Sequence, residues 1–110
     1  MVKSIQEAIQ RIEAIPGLTG KLAYDHFSTP QLLPFAAYTY DFSTSGADDY
    51  NGVQWIDFRI ELYTEERDFD LEEKILKAFV DVEIDSDSDY LSIERMYMTA
   101  FEFTFPHKLS

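Results

Sequence analysis

The segment Asn51-Gly-Val-Gln-Trp-Ile-Asp-Phe-Arg-Ile-Glu-Leu-Tyr63, followed at once by Thr64-Glu-Glu-Arg-Asp-Phe-Asp-Leu-Glu-Glu-Lys-Ile-Leu-Lys-Ala-Phe79, decides how this chain is read. In the first half Ile56, Phe58, Ile60 and Leu62 alternate with Asp57, Arg59 and Glu61. A period of two puts one side of a strand in a core and the other in water. The second half changes period: Leu71, Ile75, Ala78 and Phe79 fall on one side of a helix. A long strand with a charged outer side, joined by a short acidic turn to an amphipathic helix, is a rigid scaffold that presents a surface. No catalytic constellation sits on it.

Working outward, the same two periods recur. Ile5, Ala8, Ile9 and Ile12 have helical spacing behind a Ser4-x-x-Glu7 capping box, and Pro16-Gly17 ends the run. Gly20 to Phe27 reads as a short strand, and Ser28 to Pro34, with two prolines, as an irregular connection. Phe35 to Phe42 is aromatic-rich and bounded by turn formers, a second strand. The polar excursion Ser43–Gly52 is too long for a tight hairpin and is expected to be a mobile loop that orders on contact with a partner. The second helix is capped by Asp68, or by Asp70 with Glu73. Val80 to Ile84 alternates apolar with acidic as a short strand, and Asp85-Ser-Asp-Ser-Asp89 turns the chain. Tyr97, Thr99, Phe101, Phe103 and Phe105 then alternate along a last long strand ended by Pro106.

The expected fold is α+β, one domain over residues 1–110, in the order α-β-β-β-α-β-β. Strands grouped with short links imply a mainly antiparallel or mixed sheet of about five strands, with two amphipathic helices on one face. With 45% apolar and 15% aromatic residues the chain can build a proper core.

Composition excludes several classes of function. The chain has no cysteine, so disulfides, thiolate metal sites and cysteine nucleophiles are ruled out. No apolar run approaches the roughly 20 residues that span a bilayer, so a soluble, unexported protein is expected. The net charge of −12 is uneven: residues 41–94 carry 17 acids and four bases, whereas residues 1–40 carry three of each. A surface of that sign repels nucleic acid and anionic lipid, whose affinity rests on Lys and Arg. No direct affinity for duplex DNA and no membrane partner are expected.

The residues that could carry chemistry fail one by one. Asp85, Asp87 and Asp89 resemble the start of a calcium loop, but the position that requires Gly is Tyr90 and the one that requires Glu is Met96. His26 and His107 are the only histidines, and neither has another histidine or a carboxylate at a ligand spacing such as i, i+4. Adjacent acids such as Asp48-Asp49, Glu65-Glu66 and Glu72-Glu73 suit loops and helix starts. There is no phosphate loop, no Gly-x-Ser-x-Gly and no basic patch interleaved with aromatics. No enzyme, metal or cofactor is expected. Trp55 and Tyr63 differ, because alternation places both on the polar side of the third strand, where large aromatics often anchor interfaces. Either they form an assembly surface with Asp48, Asp49 and Tyr50, or that side is itself partly covered.

Three segments together carry a resemblance: the strand end Ile60-Glu-Leu-Tyr-Thr64, the helix Glu72-Glu-Lys-Ile-Leu76, and Ser92-Ile-Glu-Arg-Met-Tyr-Met-Thr-Ala-Phe-Glu-Phe103. With the segment Leu33-Pro-Phe35, the chain resembles the tail terminator or head-tail joining proteins of long-tailed bacteriophages and prophages of Gram-positive bacteria. The resemblance covers nearly the whole chain. It implies a noncatalytic virion subunit, assembled in the host cytoplasm into a ring, commonly of six copies, that caps the tail tube and meets the head connector. It carries over no catalytic or cofactor residues, and it gives the acidity a reason, since a passage for DNA must not bind it. Two other classes compete. One is another neck protein, a connector adaptor or stopper, which gene neighbourhood would separate. The other is an acidic DNA mimic, which needs carboxylates spaced like phosphates, whereas here Arg59, Arg67, Lys74 and Lys77 interrupt them.

Overall fold

The computed structural model describes residues 2–29, 31–42 and 53–108. The expected order holds: α1 (Ile5–Glu13), β1 (Leu22–Tyr24), β2 (Phe35–Phe42), β3 (Val53–Thr64), α2 (Phe69–Ala78), β4 (Asp85–Leu91) and β5 (Met96–Lys108). The strands form a single sheet in the spatial order β1-β2-β3-β5-β4. Every pairing is antiparallel except β1 with β2, so the sheet is mixed.

Alternation along the strands makes the core. Register aligns Ala36, Tyr38 and Tyr40 of β2 with Leu62, Ile60 and Phe58 of β3, and these with Thr99, Phe101 and Phe103 of β5. Against this layer pack Ala8 and Ile12 of α1 and Leu71, Ile75 and Phe79 of α2 and its end, all in one buried cluster, so both helices lie on one face as expected. Each fully buried Phe or Ile contributes roughly 1.5–3 kcal/mol relative to exposure.

Both helices are capped, with differences from the sequence reading. At α1 the Glu7 amide donates to Ser4 Oγ at 3.0 Å, but the Glu7 carboxylate turns forward to Arg11 (2.8 Å) instead of back. The capping box is therefore half formed, because a charged i+4 partner outcompetes an amide. Asp68 caps α2, accepting from the Leu71 amide at 3.0 Å. The helices are tied where α2 ends: Arg11 donates to the Ala78 carbonyl (3.0 Å) and to both oxygens of Asp81, and its guanidinium holds the Asp81 carboxyl well below the usual carboxylate range.

Three strand expectations are corrected. Val80–Ile84 is not a strand, and Asp85–Asp89 is not a turn: the Asp-Ser run is β4, paired along its whole length with β5. An edge strand takes its hydrogen bonds from one neighbour, and charges along it discourage further pairing, so apolar alternation is not required there. The turn falls at Ser92–Arg95, with Arg95 at φ 57 and its amide donating to the Leu91 carbonyl at 2.7 Å. The first strand is three residues, not eight, and runs parallel to β2. Pro106 does not end β5, which continues to Lys108. The last β4 pairing is at Glu102, so beyond it β5 is flanked by β3 alone and a missing N–H is tolerated. The expected mobile loop Ser43–Gly52, with Asp48, Asp49 and Tyr50, lies outside the described residues.

Candidate assembly surface

Among the described residues no helix lies on the second face of the sheet, and the register arranges its side chains in rows. One row runs Asp41, Asp57, Thr104; the next Thr39, Arg59, Glu102, Asp85; the next Ala37, Glu61, Ala100, Asp87; the last Phe35, Tyr63, Met98, Asp89. Seven carboxylates thus share this face with Arg59 as its one base among the rowed residues. Arg59 donates to Glu61 and Glu102, each at 2.9 Å, and Thr104 donates to Asp57 at 2.8 Å. The hydrogen bond it donates to Glu61, then the one to Glu102, raises the Arg59 pKa, so this cation is fixed in its charged form. A shallow concavity of about 550 Å³ opens among these rows, bounded by Asp41, Asp57, Arg59, Asp85 and Glu102.

Asp85, Asp87 and Asp89 stand on one side of an extended strand, spaced along it, rather than converging as the oxygens of a cation loop do. Among the described residues no group of three or more His, Cys, Asp or Glu side chains is placed to hold a metal ion. His26 is exposed and its Nδ1 lies 2.9 Å from Asp25 Oδ2.

The two aromatics singled out from the sequence part company. Both lie on the helix-free side, as alternation demands. Trp55, in register with Pro106, is 42% exposed and makes no ring pair among the described residues. Tyr63 is half-buried: its ring stacks on Phe35 (centroids 5.1 Å apart), which in turn meets Phe27 edge-on (5.5 Å), and its hydroxyl donates to Glu61 at 2.9 Å. Burial, reinforced by that hydrogen bond, pushes the Tyr63 phenol up to about 12.

The cover over Tyr63 comes from topology. Two parallel strands cannot be joined by a tight turn, so the chain between Tyr24 and Phe35 has to cross one face of the sheet. It crosses the helix-free one, and with Phe35, Ala37 and Tyr63 it encloses a pocket of about 380 Å³ lined also by Asp25, His26, Phe27, Ser28, Thr29 and Gln31. Asp25, at φ 63, turns the chain out of β1, its amide held by the Tyr38 carbonyl at 2.7 Å. Sequence reasoning missed this pocket and Phe27. It also missed Ile93, which the four-residue β4–β5 turn leaves 89% exposed. The two prolines of residues 28–34 were the one available signal for the first.

No family model and no curated protein matches this chain. Among solved structures it is similar to a chain of the virion of a native gene transfer agent particle, with a TM-score of 0.60 and 15% identity over 90% of each chain. At that identity the likeness shows a shared fold.

Proposed function

We propose that this chain is a noncatalytic structural subunit of a phage-like virion, a tail terminator or head-tail joining protein that assembles as a hexameric ring at the tail end. The observation that carries the reading is the fold shared, over 90% of each chain, with a chain of a gene transfer agent virion. The sequence resemblance to tail terminators supports it independently of that comparison. The partners are further copies of the chain, the tail tube protein and the head connector proteins. A small α+β domain with one helix-packed face and one face without a helix among the described residues suits the role, because subunits of a closed ring contact each other through two different surfaces. The acidic rows around Arg59, between the Trp55 end and the Tyr63 end of this face, face the DNA passage, repelling phosphate within a screening length of about 8 Å. Trp55 and Tyr63, with Asp48, Asp49 and Tyr50, belong to the assembly surface. A DNA mimic fits less well, since Arg59 sits in the middle of the acidic rows and pairs with two of their carboxylates, Glu61 and Glu102.

Deleting the gene from its phage tests the role by electron microscopy. Overlong or headless tails of uneven length are expected. Normal virions from the deletion reject it.

A further inference from the structure

We infer that copies of this chain join head to tail by seating Ile93, at the β4–β5 turn of one copy, in the Phe27–Phe35–Tyr63 pocket of the next. The inference deepens the ring reading and rests on it for biological context. Ile93 is 89% exposed, the most exposed large apolar side chain among the described residues, and it stands at the apex of a four-residue turn. A tight turn ordinarily carries polar residues there, so an isoleucine is a knob without an internal hole.

The molecule carries a matching hole. The pocket of about 380 Å³ is walled by Phe27, Phe35 and Tyr63, with buried Ala37 in its wall. Its position is what makes the match usable. The pocket lies at the β1–β2 margin of the sheet, by the row that begins with Phe35, and the turn projects from the β4 margin at that same end, just past the Leu91–Met96 pair. Knob and hole therefore occupy opposite edges at one end of the strands. A copy cannot fill its own pocket across the width of the sheet, but a neighbour set beside it can. Two different surfaces meeting in this way make a heterologous contact, which closes into a ring when the rotation between copies permits.

Charge agrees with the pairing. The turn carries Glu94 and Arg95 next to Ile93, and the pocket rim carries Asp25 and His26, so Arg95 of one copy has a carboxylate to meet on the other. The β4 strand itself, lined by Asp85, Asp87 and Asp89, resists edge-to-edge strand addition and leaves its turn as the part that engages.

Engineered cysteines test the contact cleanly, because the chain has none of its own. Purified Ile93→Cys and Ser28→Cys variants are mixed and mildly oxidised, beside a control mixture of Ile93→Cys with Val80→Cys, whose position on the far side of the molecule is 83% exposed. Disulfide-linked 93–28 dimers are expected several-fold above the control. Linkage no better than the control overturns the inference. In sedimentation at high concentration, Ile93→Asp is expected to shift the chain toward monomer with an unchanged melting temperature; self-association equal to wild type overturns it as well. The two readings fail separately. Normal tails capped by rings of Ile93→Asp subunits would discard this contact and keep the ring, whereas normal virions from the gene deletion would discard the ring while a 93–28 linkage still established self-contact.

Discussion

The two faces of the sheet are built from the same strands and differ by one residue of phase. On one side Phe58 is flanked by Tyr38 and Phe103, with ring centroids 5.6 and 5.4 Å away, and is sealed by the helices. On the other, one position along, Asp57 and Arg59 meet Thr104 and Glu102 in water. The comparison teaches how tightly register is held: a slip of one residue would drive Asp57 and Arg59 into the core and expose Phe58, so the buried face fixes the geometry of the bare one. The bare face is then free to carry charge, aromatic anchors and a pocket with little penalty to stability.

That asymmetry can be broken by substitution, and the size of each effect ranks the faces. Phe58→Ala removes a ring that is 1% exposed and touched by four aromatic neighbours; a loss of about 3–5 kcal/mol in urea unfolding is expected. Thr99, 1% exposed, donates to Glu72 at 3.4 Å and so receives the proton of Ser88 at 2.6 Å, joining α2, β5 and β4. Thr99→Val is expected to destabilise by about 1–3 kcal/mol, because Ser88 and Glu72 lose a shared partner.

Tyr63, between the two faces in burial, is expected to be intermediate in effect. Tyr63→Phe deletes one hydrogen bond to Glu61, worth about 1 kcal/mol. Its folded phenol titrates near 12, above the ordinary value of 10, so the folded state holds this proton more tightly than the unfolded one. That contribution is fully present below the unfolded pKa and is lost as pH rises from 10 to about 12. The variant is expected to show a flatter fall of stability across that window, measured by denaturation at several pH values. The smallest effect belongs to Trp55→Ala on the bare side, within about 0.5 kcal/mol of wild type. A large loss of melting temperature there would place Trp55 in a packed site and narrow the difference between the faces.

Much of this was legible in the sequence, for an identifiable reason. β3, β5 and both helices bury one side only, so Ile56 to Leu62, Phe101 to Phe105 and Leu71 to Phe79 print their period into the chain. The order of elements and the helix-covered face follow from that. β4 was not legible, because its helix-side residues Ser86 and Ser88 are small and polar; Ser88 satisfies its hydroxyl on Thr99, and the pairing is supplied by β5. The parallel direction of β1 was hidden too, since three residues carry no information about which way a neighbour runs. The candidate site was half visible. Trp55 and Tyr63 could be assigned a side from alternation, but the Tyr63 cover depends on where the crossing segment goes, and the isolation of Ile93 depends on where the turn falls.

The crossing from β1 to β2 has a further consequence for how this protein can diversify. Its ends are anchored by the Tyr38 carbonyl on one side and the ladder of β2 on the other, while Leu32 midway is 86% exposed. Residues there can lengthen, shorten or change without disturbing a single core contact of β3 or β5. Selection acting on that one stretch would remodel the cover and rim of the pocket independently of the scaffold, so related chains could alter whom they accept as neighbour while folding as before.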